Sequence, residues 1–183
     1  MIIRILDISI AFFGLLLLSP IILIVAIVGF FDTGSPVFIQ ERVGWRKKSF
    51  KLIKFRTMKT DTKSVASHLA SSSSITRFGQ VLRKTKLDEL PQLINVLMGD
   101  MSLVGPRPNL FNQTELIAAR SIRGVYEVRP GITGLAQVNN IDMSTPELLA
   151  ETDKKMIEST SLKQYFALII RTATGSGVGD AIK

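Results

Sequence analysis

Two adjacent carboxylates, Asp88 and Glu89, stand directly before the run Leu90-Pro91-Gln92-Leu93-Ile94 and just after three cations, Arg83, Lys84 and Lys86. Acids are favourable at the positive end of a helix, and Thr85 to Asp88 fits a capping box, so helix capping is one reading of the pair. The other reading is chemical. The same helix end gathers phosphate, and a carboxylate beside it can attack phosphorus. Two neighbouring acids also suit magnesium, which takes one or two carboxylates and shares phosphate oxygens. Asp88 and Glu89 are therefore candidates both for catalysis and for metal ligation, and the residues alone leave capping and chemistry open.

The cations that could serve such a site are scattered. Arg107 lies in Gly105-Pro106-Arg107-Pro108 and Arg129 in Arg129-Pro130-Gly131, two stiff corners that would aim a guanidinium at little entropic cost. Lys54 and Arg56 flank Phe55 at strand spacing and so share a face. Lys54, Arg83, Arg107 and Arg129, with Arg56 beside the first, make a candidate phosphate cradle, although each is also readable as a surface charge. With no cysteine and one histidine, His68, the chain cannot build a disulfide framework, a thiol nucleophile, a cysteine-ligated zinc or a multi-histidine metal site. His68 reads as a surface residue of a polar, serine-rich loop over residues 60–74. No Walker-type loop and no dinucleotide glycine fingerprint is present.

Several elements must position these groups. Residues 36–40 and 50–55 read as short strands around a turn at Gly44, with Lys51 off the face of Phe50, Leu52 and Lys54. Helices are expected over 75–84, over 90–98 with Gly99 ending it, over 113–120, and over 145–158 with Pro146 and Glu147 in its first turn. Residues 162–174 read as an amphipathic helix that can lie on the protein or on a membrane, and the chain is expected to fray from Gly175.

The N-terminus is of another kind. No residue from 8 to 31 is charged, and about 24 helical residues cover ~36 Å against a hydrocarbon core of ~30 Å. Ser19-Pro20 falls near the middle, where proline predicts a kink; a kinked spanning helix and a re-entrant helix both fit. The net charge is +8, and residues 42–59 carry eight Lys and Arg with no acid. That basic stretch is expected on the cytoplasmic side, near anionic headgroups, which explain it at least as well as nucleic acid does.

Several long stretches, in order, resemble one family: the N-terminal apolar segment with Ser19-Pro20; Phe50-Lys51-Leu52-Ile53-Lys54-Phe55-Arg56-Thr57-Met58; Arg83 through Leu93; Asn95 through Pro108; and Arg129 through Val138. On these the chain is similar to the small monotopic phosphoglycosyl transferases of the bacterial sugar transferase family. The resemblance implies that a sugar 1-phosphate passes from a UDP-sugar to undecaprenyl phosphate, with release of UMP. It implies Asp88 as the nucleophile, Glu89 as its partner, magnesium as cofactor, and a re-entrant helix broken at Ser19-Pro20. Asn139-Asn140-Ile141-Asp142 departs from the family's turn by lacking a cation. Leu110 through Ile117 is similar to capsule and O-antigen members acting on N-acetylated 6-deoxyhexosamines.

The expected fold is α+β, mostly helical and membrane-associated: a re-entrant membrane helix over 1–31 and a cytosolic catalytic domain over 32–183 with a short irregular sheet. The expected location is the cytoplasmic face of the bacterial inner membrane, in capsule, O-antigen, glycoprotein glycan or exopolysaccharide assembly. Expected partners are the UDP-sugar donor, undecaprenyl phosphate and anionic lipids, with no nucleic acid; homodimerisation is left open. The rivals are a noncatalytic basic adaptor and a phosphatase using an aspartyl intermediate.

Overall fold

A computed structural model describes residues 2–62, 72–175 and 177 of the chain. His68, most of the polar loop around it and the residues beyond 177 lie outside the described residues. Helix α1 runs over Ile2–Thr33 and is followed by a hairpin of β1 (Val37–Val43) and β2 (Ser49–Phe55). After it come α2 (Arg77–Thr85), α3 (Gln92–Met98), β3 (Ser102–Val104), α4 (Thr114–Ile122), β4 (Gly131–Thr133), α5 (Leu135–Val138), α6 (Pro146–Glu158) and α7 (Leu162–Ala173). The chain is thus mostly helical with small sheets.

The chain stays helical across Ser19-Pro20, with Pro20 inside α1. A proline at position 20 deprives the Leu16 carbonyl of its usual donor four residues on. The Ser19 hydroxyl takes that place, donating to the Leu16 carbonyl at 2.8 Å. A side-chain donor thus replaces the lost amide and keeps this turn helical.

The helix is anchored to the rest of the chain at both ends. Near its start, Ala11 joins a buried cluster with Phe50, Leu52, Val96, Met101 and Tyr165. Near its end, Val25 packs with Phe55 and Leu82, and Asp32 accepts a hydrogen bond from Thr76 at 2.6 Å. Asp7, 2% exposed, accepts from Ser102 Oγ, the Leu103 amide and the Tyr165 hydroxyl at 2.9–3.0 Å. Three donors satisfy the otherwise costly buried carboxylate.

The β1–β2 pair is antiparallel, from Val37 opposite Phe55 to Val43 opposite Ser49. Phe50, Leu52 and Lys54 share the buried face and Lys51 is exposed, as the alternation predicts. The single irregular sheet expected from the sequence is corrected to two separate two-stranded sheets among the described residues. The second, β3 with β4, is parallel and places Ser102 opposite Gly131. It was hidden because each strand is three residues long and lies against a proline corner. The corners pack backbone to backbone: a Cβ on Gly131 would stand 2.0 Å from the Gly105 amide nitrogen, so only glycine fits.

Helix limits otherwise follow the expected punctuation. Gly99, at φ 94°, ends α3, and Thr76 caps α2 by accepting from the Gly79 amide at 2.8 Å. The capping box at Thr85 is not formed. Thr85 is the last residue of α2 and its hydroxyl donates back to the Val81 carbonyl at 2.8 Å.

Candidate active site

Between α2 and α3 the chain makes a 3-10 turn over Leu87–Glu89, entered through Lys86 at φ 59°. Leu87 packs with Phe55 and Leu82 and anchors the turn. Asp88 and Glu89 are 3% and 7% exposed, although carboxylates are seldom fully buried without partners. Both stand just before α3, where backbone amides and the helix dipole favour negative charge.

Arg107 reaches the pair. Its Nη2 donates to Glu89 Oε1 at 2.8 Å, from a side chain 22% exposed to one 9% exposed. The Arg107 corner is itself held from several directions. Arg120 of α4 donates to the Arg107 carbonyl at 2.8 Å and to Asn109 Oδ1 at 3.0 Å. Tyr126 donates to the same Asn109 oxygen at 2.9 Å, and Arg42 donates to the Pro108 carbonyl at 3.1 Å. Asp153 of α6 grips Arg120 through Nε and Nη2 at 2.9 and 2.7 Å, both residues being 1% exposed. Burial pushes the Asp153 carboxyl above its ordinary value, and the charge and hydrogen bonds of Arg120 oppose that shift. Asp153, Arg120, Arg107 and Glu89 therefore form one connected chain from the helical layer to the acidic pair.

The other expected cations divide. Lys54, buried at 7% exposure, lies at the end of β2, the strand bordering the acidic turn, with its ammonium 5.8 Å from the Phe38 ring. Arg83 borders the turn from α2 and donates to Thr57 Oγ1 at 2.8 Å. Arg56 shares the Phe38 face with Lys54, as expected, but its Nε donates to the Ser35 carbonyl at 2.9 Å and secures β1. Arg129 is not brought to the acids. Its Nε donates to the Gly99 carbonyl at 2.8 Å, beyond the far end of α3, on the order of 15 Å along the chain's helical rise from Glu89.

Lys86 was not placed in the cradle from sequence. Its ammonium donates to the Thr172 carbonyl at 3.2 Å, and burial lowers its pKa, with Glu89 raising it and Arg107 adding to the lowering. Arg120 and Asp153 were missed too, though a signal existed. In α4, Leu116, Ala119 and Arg120 are buried on one face, and in α6 Leu149, Asp153 and Met156 are. A charge on each apolar stripe is the mark of a buried pair.

Among the described residues no group of three His, Cys, Asp or Glu could hold a metal. The donor set at Asp88 and Glu89 instead fits magnesium arriving with a diphosphate, since that ion needs one or two carboxylates and keeps water and phosphate oxygens.

The chain is 42% identical over 181 residues to the uncharacterized sugar transferase EpsL of Bacillus subtilis, covering 98% of this chain and 89% of that protein. It is 37% identical to a UDP-glucose:undecaprenyl-phosphate glucose-1-phosphate transferase of Caulobacter vibrioides, covering 92% of this chain and 67% of that one. It is 34% identical to the exopolysaccharide production protein ExoY of Rhizobium meliloti, covering 91% and 81%. The family model described as bacterial sugar transferase matches residues 1–176. A noncatalytic adaptor is thereby set aside: the chain is an enzyme and belongs to the bacterial sugar transferase family.

Proposed function

We propose that the protein transfers a sugar 1-phosphate from a UDP-sugar to undecaprenyl phosphate through a covalent intermediate on Asp88. The observation that carries this reading is the buried Asp88–Glu89 pair at the head of α3, met by Arg107 at 2.8 Å. An Asp88 carboxylate oxygen attacks the phosphorus next to the sugar, and the bond from that phosphorus to UMP breaks. A phosphate oxygen of the polyprenyl acceptor then attacks the same phosphorus, and the bond to Asp88 breaks, restoring the carboxylate. The acceptor is already ionised near neutral pH, so neither step needs a strong base.

Arg107, Lys54 and Arg83 lower the repulsion between a carboxylate and an anionic diphosphate, each such contact being worth about 2–4 kcal/mol. Asp88 and Glu89 would hold magnesium, which supplies further charge neutralisation on the phosphate oxygens. Glu89, paired with Arg107 at 2.8 Å, would orient the metal or Asp88. The donor family is UDP-sugars. The Caulobacter relative is named for UDP-glucose, and the stretch from Leu110 to Ile117 favours an N-acetylated 6-deoxyhexosamine, so both donors belong in the assay.

The proposed setting is the cytoplasmic face of the bacterial inner membrane, with α1 re-entrant. Helix α1 is long and apolar enough to cross a bilayer. Yet residues near both its ends pack on the same domain, which supports a helix that dips in and returns. Leu16, Leu17 and Ile21, around Ser19-Pro20, are 65%, 80% and 40% exposed, a suitable apex for insertion.

The test incubates the protein with UDP-glucose or a UDP-N-acetylated 6-deoxyhexosamine and magnesium, without acceptor. Intact-mass spectrometry should find a phosphosugar adduct on the parent chain and none on Asp88→Asn, with UMP release requiring Asp88. An adduct persisting on Asp88→Asn would overturn the assignment. Release of free sugar phosphate without polyprenol would instead point to a phosphatase.

A further inference from the structure

A cavity of about 300 Å³ opens beside the C-terminal end of α3, lined by Arg4, Trp45 and Arg129 and by Ile3, Met156 and Tyr165. Asp88 and Glu89 do not line it. Arg129 is held in this space by two restraints. Its Nε donates to the Gly99 carbonyl at 2.8 Å, and its guanidinium lies 4.6 Å over the Trp45 ring. Nη1 and Nη2 have no hydrogen-bonding partner among the described residues. A fork fixed by its base and its face is ready for bidentate contact with a phosphate, with little further ordering to do.

The surroundings are strongly positive. Arg4 is held at the same wall by the Val96 and Met101 carbonyls, at 2.7 and 3.2 Å. Arg46 stacks on the same indole at 4.7 Å, and exposed Lys47 and Lys48 follow it. Glu127 is the one acid lining the cavity. Apolar surface flanks the opening. Ile2 and Ile5, neighbours of Ile3 and Arg4 on α1, are 60% and 56% exposed, and Leu162 and Phe166 of α7 are 46% and 42% exposed beside Tyr165. A phosphate joined to an apolar body matches this combination, and a free phosphate matches only half of it.

We propose that the cavity is a second anion site, separate from the acidic pair, which takes the phosphate of an anionic membrane lipid on Arg129 and Arg4. This rests on the membrane seating of α1 proposed above. Trp45 is the only tryptophan in the chain, so its emission reports on the site directly.

The full chain is reconstituted into phosphatidylcholine nanodiscs, and the share of phosphatidylglycerol is then raised. The expected result is a saturable change in Trp45 emission whose half-point moves at least about tenfold higher in Arg129→Gln. Arg4→Gln, which leaves the contact between Arg129 and Trp45 in place, should also raise it, and Arg129→Lys should fall between Arg129→Gln and the parent. Half-points unchanged in both Gln variants would assign the lipid to the exposed basic stretch and overturn the proposal. So would a response to inorganic phosphate with none to phosphatidylglycerol, which would make the ligand a soluble anion. A chain that fails to enter phosphatidylcholine discs overturns the membrane seating itself, whereas one that enters and gives no emission change overturns only the second site.

Discussion

The two ends of α3 receive arginines from matching proline corners and use them in opposite ways. At the N-terminal end Arg107 pairs with Glu89 at 2.8 Å; at the C-terminal end Arg129 donates to the Gly99 carbonyl and Arg4 to that of Val96. Neither residue type nor turn explains the split, because both corners hang on the same β3–β4 pair. The helix does. Its N-terminus offers amides and a positive field, so it collects carboxylates, and an arginine arrives there as their counter-ion. Its C-terminus offers unpaired carbonyls, which draw guanidinium groups directly.

The largest effect that could break this contrast lies behind the Arg107 corner. Asp153→Asn leaves Arg120 buried without its counter-charge, and the expected loss is about 3–5 kcal/mol of stability, read from denaturant melts of the detergent-solubilised chain. A loss below about 1 kcal/mol would mean that the buried pair is not what fixes the corner. Next comes the corner's own arginine. Arg107→Lys keeps the charge but loses the fork, and kcat/KM for UMP release should fall by about 10²-fold, equivalent to ~2.7 kcal/mol. Arg129→Lys, at the other helix end, should change the UMP-releasing half-reaction less than about threefold, because carbonyl capping is worth ~1 kcal/mol or less. Equal losses in the two variants would erase the distinction between the ends.

The smallest effect is a shift along the pH axis. Lys86 is held below the ordinary lysine range chiefly by burial, so on raising pH it loses its charge earlier than an exposed lysine, and the positive field near Glu89 weakens. Lys86→Arg keeps that charge, so the alkaline limb of the kcat/KM profile should move to higher pH. An unchanged limb would remove Lys86 from the site's electrostatics.

The acidic pair, the apolar helix and most helix limits were legible because they depend on local chemistry: carboxylates before an apolar run, a long uncharged stretch, glycine and proline stops. Arg107 was legible for the same reason, since its corner is written in four consecutive residues. Arg129 was misplaced because a similar proline-corner signal meets a different partner only after folding. The β3–β4 pair escaped because three-residue strands give too little alternation to detect. The capping box at Thr85 failed because its hydroxyl had a nearer acceptor inside α2. Arg120 and Asp153 each stand out on an apolar stripe, but they lie 33 residues apart, and that separation hides which charge pairs with which.

Asp7 has a consequence for how the molecule is made. Its three donors lie 95, 96 and 158 positions further along the chain. At ~5–20 residues per second the ribosome delivers the last of them roughly 8–30 s after Asp7 itself is made. Until then the apolar segment carries a carboxylate with none of its native donors, which opposes deep passage into hydrocarbon. Under the membrane seating proposed above, the residue that later bolts the helix to the finished domain counts against threading through the bilayer during translation.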